Sequence, residues 1–199
     1  MVNPTKFDQL KELNMKEQAD LKSILKAGKL TNELDLERAL ILDRKLRLLV
    51  KDEPELLESR KKLRSIIKQY EKANWSKESE IDELKIKESD IAEFIAEQER
   101  IFLVKRKNTI KEKLAKLKIT QQELGKILGH GKTYMSELMN GVSPFSMRDL
   151  IILHRLFGIK LESLIPTIIS QKDRVKIKTS LTELNKPELK LEKEDLVFA

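Results

Sequence analysis

Residues 120–141, with the sequence TQQELGKILGHGKTYMSELMNG, leave the backbone few arrangements. Thr120 followed by Glu123 is a capping box: the hydroxyl accepts from the amide three residues on, and the carboxylate reaches back. Leu124, Ile127 and Leu128 then share one helical face. Gly125 has no side chain, so a second helix can cross it closely, at a propensity cost of about 1 kcal/mol against alanine. Gly129 and Gly131 supply a corner, where positive φ is cheap only for glycine. The next helix buries Met135, Leu138 and Met139 and leaves Lys132, Thr133, Ser136 and Glu137 outside. Asn140-Gly141 closes it with a left-handed C-terminal cap.

Two short helices about a glycine corner make a helix-turn-helix, whose second helix enters the DNA major groove. An ordinary helical hairpin shares this capping, and charge separates the two readings. The chain has 199 residues with 40 Lys/Arg and 33 Asp/Glu, a net charge of +7. Residues 105–165 carry 12 basic against 5 acidic side chains, residues 1–104 carry 21 against 22, and residues 166–199 carry 7 against 6. The whole surplus surrounds the motif. A localised basic field is the footprint of a polyanion binder, and a merely solvated lysine-rich face would not coincide with the motif.

Other functions find little support. With no Cys there is no disulfide framework, thiolate metal site or cysteine nucleophile, and a reducing cytoplasm is the simple expectation. No apolar run approaches a membrane span, and the N-terminus lacks a signal pattern. Paired carboxylates, a nucleophile motif and a phosphate-cradling glycine loop are all missing, so no enzyme and no cofactor is expected. His130 and His154 are the only histidines, without acidic or histidine companions at metal-ligand spacing. His154 falls on the buried side of its helix and reads as a core histidine.

Taken in order, the chain predicts an all-α protein in three parts: a helical N-terminal region over 1–104 for dimerisation or partner binding, a five-helix DNA-binding domain over 105–166, and an extension over 167–199. Asn3-Pro4 suits a helix start, with Phe7, Leu10, Leu13, Leu21, Ile24 and Leu25 on its stripe to about Lys26 and Gly28 as its stop. A second helix follows Thr31 or Asn32, carrying Ala39, Leu42, Leu46, Leu49 and Val50. Asp52-Glu53-Pro54 restarts a third, carrying Leu56, Leu57, Leu63, Ile66, Ile67 and Tyr70. Ser76 caps a short helix through Ile81, Leu84 and Ile86, and Ser89 caps another with Ile91, Phe94, Ile95, Ile101 and Phe102. Asn108 or Thr109 restarts the helix with Ile110, Leu114 and Leu117 inward, or one long helix runs on from Asp90. Ser146 with Asp149 caps a helix burying Leu150, Leu153, Leu156 and Phe157, stopped by Gly158. In the tail, Ser170 and Asp173 favour a helix to about Leu184, although Val175, Ile177, Thr179 and Leu181 alternate like a strand. Tyr70 and Trp75 suit either a core or a partner-anchoring role.

Side-chain exposure on the motif names candidate DNA contacts. Lys132, Thr133 and Tyr134 lie at the N-terminal end of the second helix, where side chains reach base edges and free amides favour phosphate. Ser136 and Glu137 follow one turn on; Glu137 either accepts from a cytosine amine or orients Lys132 or Thr133. Gln121 and Gln122 open the first helix, where amides touch phosphates or flanking bases. A dimer is expected, because one module reads only a half-site of double-stranded operator DNA.

Residues 109–165 resemble the Xre/Cro family of helix-turn-helix domains, with its lambda-repressor-like fold. SELMNG at 136–141, SPFSMRDL at 143–150 and LHRLFGIKLESLI at 153–165 look like HigA-type antitoxins. The segment LVKDEPELLESRKKLRSIIKQYE at 49–71 resembles the region before the DNA-binding domain in longer members of that type. The resemblance implies a bacterial type II antitoxin that neutralises a small HigB/RelE-like mRNA-cleaving toxin and dimerises to repress its own operon. A stand-alone Xre-family repressor is the alternative. It further implies that Ser143, Ser146 and Arg148, at the start of the next helix, form a phosphate-contacting corner, with Arg148 the best single phosphate contact. Nothing carries over to the toxin-binding surface or to the tail beyond Pro166.

Overall fold

The computed structural model describes residues 12–76, 82–167, 169, 171–186 and 188–189. Those residues are helical, with no strand among them: α1 (Met15–Ala27), α2 (Glu33–Leu49), α3 (Leu56–Trp75), α4 (Glu83–Lys116), α5 (Gln121–Leu128), α6 (Lys132–Asn140), α7 (Met147–Phe157), a 3-10 turn (Leu161–Ser163) and α8 (Gln171–Glu183). The all-α expectation holds, with a helical N-terminal region ahead of a helix-turn-helix domain.

Local chemistry sets most boundaries. Asn14 with Glu17, Thr120 with Glu123 and Ser146 with Asp149 form complete capping boxes at the starts of α1, α5 and α7. Asn32 caps α2 through its side chain, which accepts from the Asp35 amide. The helix that Gly28 stops is capped by Asn14, and the expected start at Asn3-Pro4, with Phe7 and Leu10, lies outside the described residues. Leu13 is nevertheless buried, just ahead of the helix.

Between the broken and the continuous helix the structure takes the continuous one: α4 is one helix of 34 residues, and it starts earlier than Asp90. Ser89, Asn108 and Thr109 are cap-forming residues, yet all three lie inside it. Neither Gly nor Pro interrupts residues 83–116, and burial of Ala92, Ile95, Ala96, Phe102, Ile110 and Leu114 outweighs weak local capping preferences. The start falls at Asp82, whose carboxylate accepts from the Lys85 amide at 2.8 Å. Leu84 and Ile86, expected inward, are exposed, as is Leu57 in α3; Ile81 lies outside the described residues. Leu117, Ile127 and Leu156 were also expected inward and are 51%, 40% and 59% exposed: Leu117 falls in the turn beyond α4, and the other two sit at the margins of their apolar stripes.

The chain divides into two compact units: residues up to 96 together with 136–143, and residues 97–135 together with those from 144 onward. In the first, Leu36, Ala39, Leu42, Leu46 and Leu49 of α2 recur at helical spacing and form one cluster with Leu63, Ile66 and Ile67 of α3. Each such leucine or isoleucine contributes about 1.5–3 kcal/mol on full burial. The buried Asp43 joins α2 to α3 by accepting from Arg60 Nε at 3.0 Å and Arg64 Nη1 at 2.9 Å. Tyr70 and Trp75 are used internally: their Oη and Nε1 donate to Glu33 Oε1 at 3.0 and 3.1 Å. In the second unit the buried apolar residues include Phe102, Ile110, Leu114, Leu124, Leu128, Met135, Phe145, Leu150, Leu153 and Phe157.

Candidate nucleic-acid interface

The corner between α5 and α6 is closed by backbone geometry. Gly129 takes φ 78°, so its amide reaches the Lys126 carbonyl at 3.2 Å and the His130 amide reaches the Gly125 carbonyl at 2.7 Å. Gly131 does not share that role, because its φ is not positive. Its carbonyl instead accepts from the Met135 amide at 2.9 Å, which makes it the residue on which α6 starts. Gly125 is there for space. A Cβ at that position would stand 2.9 Å from the His130 carbonyl oxygen and 3.5 Å from Met135 Cγ.

Two side-chain ties fix α7 to this corner. Asp149 is buried and accepts from Ser146 N at 3.1 Å and Ser146 Oγ at 2.8 Å through one oxygen, and from His130 Nε2 at 3.0 Å through the other. Burial pushes the Asp149 carboxyl up, but the bonds from Ser146 and His130 together prevail and hold it below the usual range. Arg148 Nη1 donates to the Leu128 carbonyl at 3.0 Å, satisfying a carbonyl at the end of α5. The His130 ring meets Tyr134 edge-on, at 5.0 Å between centroids and 84° between planes. Asp149, His130 and Tyr134 thus form a chain running from the start of α7 to the first turn of α6.

Lys132, Thr133 and Tyr134 are exposed on the first turn of α6, where amides lack intrahelical partners. Gln122 is exposed and Gln121 half-buried at the first turn of α5. Arg148 is exposed, and with one nitrogen on Leu128 its guanidinium keeps further donors for an anion. Ser146 is exposed but its hydroxyl serves the α7 cap. Glu137 and Ser143 pair with one another, Ser143 Oγ donating to the carboxylate at 3.1 Å. Glu137 therefore orients Ser143, and the expected pairing with Lys132 or Thr133 is not made. Ser136 is half-buried; its carbonyl accepts from Asn140 Nδ2 at 2.8 Å, and its hydroxyl lies 3.9 Å from Met15 Sδ.

His154, expected in a core role, is half-buried, and its Nδ1 donates to the Ile159 carbonyl at 2.9 Å. His130 escaped the sequence reading as a positioning residue, because 19 residues separate it from Asp149 and no local pattern spans that gap. Among the described residues no group of three carboxylate or imidazole side chains is placed to hold a metal ion, and no helix is long and apolar enough to cross a membrane.

Residues 110–164 match the family model described as Helix-turn-helix. The geometry above and this match define a DNA-binding domain. Residues 110–164 are of the Xre/lambda Cro-like type, which indicates a DNA-binding regulator. No curated protein and no solved structure matches the chain.

Proposed function

We propose that this regulator is the antitoxin of a bacterial type II toxin–antitoxin system, acting in the cytoplasm without catalysis or cofactor. It binds a small HigB/RelE-like mRNA-cleaving toxin and represses its own operon as a homodimer. The observation that carries this reading is the run SELMNG, SPFSMRDL and LHRLFGIKLESLI, which resembles HigA-type antitoxins and continues from the recognition helix through α7. Residues 105–166 bind the operator, and the helices of 1–104 hold toxin or partner chain. Lys132, Thr133 and Tyr134 read bases, while Gln121, Gln122 and Arg148 hold phosphates. Met147 and Ile151 lie one turn apart on α7 and are 66% and 51% exposed, an apolar surface that a second copy would cover.

The decisive experiment expresses the adjacent open reading frame with and without this chain. Growth arrest by the neighbour alone, relieved by co-expression with recovery of a complex, supports the antitoxin. A harmless neighbour, or toxicity unrelieved by this chain, leaves a stand-alone repressor. Size-exclusion chromatography with light scattering tests the dimer, and a monomer unchanged by operator DNA would refute it.

A further inference from the structure

Arg106 lies on the α4 segment that belongs to the second unit, and it is out of keeping with its surroundings. It is only 6% exposed, and no hydrogen bond or ion pair links it to any described residue. Its Cζ sits 5.2 Å from the ring centroids of both Phe102 and Phe145. Among the described residues the one buried side-chain polar atom without a partner is Glu33 Oε2. The unpaired nitrogens of Arg106 therefore still meet solvent, although its stem is covered. A guanidinium packed on aromatic rings with a free donor edge is a preorganised anion receptor, since Arg presents a rigid fork of five donors.

Its neighbours raise the charge. Residues 105–118 carry seven basic side chains and one acidic one. Burial holds the Arg106 pKa below its ordinary value, and burial together with Lys111 does the same for Lys107. A guanidinium as largely covered as that of Arg106, with no carboxylate on it, opposes folding, and an apolar side chain of similar volume is usually as stable or more so. The stack also sets its location: Phe145 immediately precedes Ser146, the N-cap of α7, and Arg148 lies in the first turn of that helix.

We propose that Arg106 is a receptor for a DNA backbone phosphate, working beside the N-terminal corner of α7. The contact rests on the DNA-binding reading of residues 110–164 and extends the interface onto α4, ahead of the matched domain. Because a phosphate contact carries no sequence information, it acts on any duplex, specific or not.

The test uses the full chain and a duplex of mixed sequence, with dissociation constants measured across a salt series. Arg106→Met should melt at the wild-type temperature or above, yet bind roughly five- to tenfold more weakly at ~0.1 M salt, with the salt slope reduced by about 0.9. Arg106→Lys keeps the charge and should restore the slope. A folded Arg106→Met with wild-type slope and affinity would overturn the proposal while leaving the DNA reading intact. Wild-type chain that shows no salt-dependent binding would remove both. A second measurement avoids any folding defect in the variants: the Nε–H resonance of Arg106 in the 15N-labelled wild-type chain should shift on adding duplex. An unmoved resonance at saturating duplex would also overturn the contact.

Discussion

Replacement of Asp149 tests whether the corner between α5 and α7 is held as the structure depicts. The carboxylate accepts three bonds, two from Ser146 and one from His130. Bonds to a charged group contribute roughly 1.5–3 kcal/mol each, and loss of an N-terminal cap costs about 1 kcal/mol. Asp149→Ala strands the donors of Ser146 and His130 together, and because they share one network the cost is about 3–4 kcal/mol rather than the sum. Asp149→Asn is milder. Its carbonyl serves Ser146, and its amide can face His130 once the imidazole proton moves to Nδ1, so the cost is about 1–2 kcal/mol. The pH dependence follows from a carboxyl held below its ordinary value in the folded state. Such a group contributes stability that is complete above its unfolded pKa, ~3.9, and lost as pH falls through the lower folded value. Urea melts from neutral to acid pH should therefore show the gap between wild type and Asp149→Asn closing below about pH 4. Parallel curves into acid, or an Asp149→Ala cost under about 1 kcal/mol, would refute the three-bond account.

Gly125→Ala should destabilise by about 1–2 kcal/mol in thermal melts, because overpacking against the His130 carbonyl exceeds the gain of about 1 kcal/mol in helix propensity. Lys118 closes α4 at φ 57°, a conformation that favours glycine, so Lys118→Gly should raise the melting temperature by the equivalent of about 1 kcal/mol. Unchanged stability would mean that the αL residue is relaxed. Burial, then Glu93 and Glu33, push the Glu37 carboxyl up against the opposing pull of Arg44, so its charged form opposes folding. Glu37→Gln should stabilise the chain at neutral pH, and the advantage should vanish below the ordinary Glu pKa of ~4.3; a destabilised Gln variant at neutral pH counts against it.

The helix-turn-helix was legible because its information is local. Thr120 and Glu123, or Ser146 and Asp149, stand three residues apart and declare their helix starts whatever surrounds them. Gly129 and Gly141 mark ends for the same reason, since a left-handed residue is a property of one position. Legibility failed where distant groups decide. Ser89, Asn108 and Thr109 carry capping chemistry, but burial along α4 outweighs it, and the sequence offered both a broken and a continuous helix there. The margins of apolar stripes misled for a related reason: period alone places Ile127 and Leu156 near the core face, and only the packed neighbours decide their exposure. Among the candidate contacts, exposure was predictable at Lys132, Thr133 and Gln122. The partners of Glu137 and Arg148 were not, because the path of the chain beyond each helix brings Ser143 and the Leu128 carbonyl to them.

The bonds made by the acidic side chains also bear on how the domain handles charge. Folding alone would disperse the cations of residues 105–165 or pair them with acids, yet this segment holds 12 basic against 5 acidic side chains. Three of the five acids are already committed: Glu123 to Thr120, Asp149 to Ser146 and His130, and Glu137 to Ser143. The acids thus act as internal fasteners for helix starts and corners, and none of these bonds goes to a lysine or arginine of the surface. Burial depresses the pKa of Arg106 and Lys107, so their positive charge opposes folding, whereas the bonds around Asp149 favour it. A domain organised this way spends most of its acids on its own framework and carries more cations than acids to match them. It stays folded without a polyanion but leaves a field that one would neutralise, with counterion release as the driving force. Salt dependence of duplex binding should accordingly exceed salt dependence of stability, because the charges that bind are not the charges that hold the corner together.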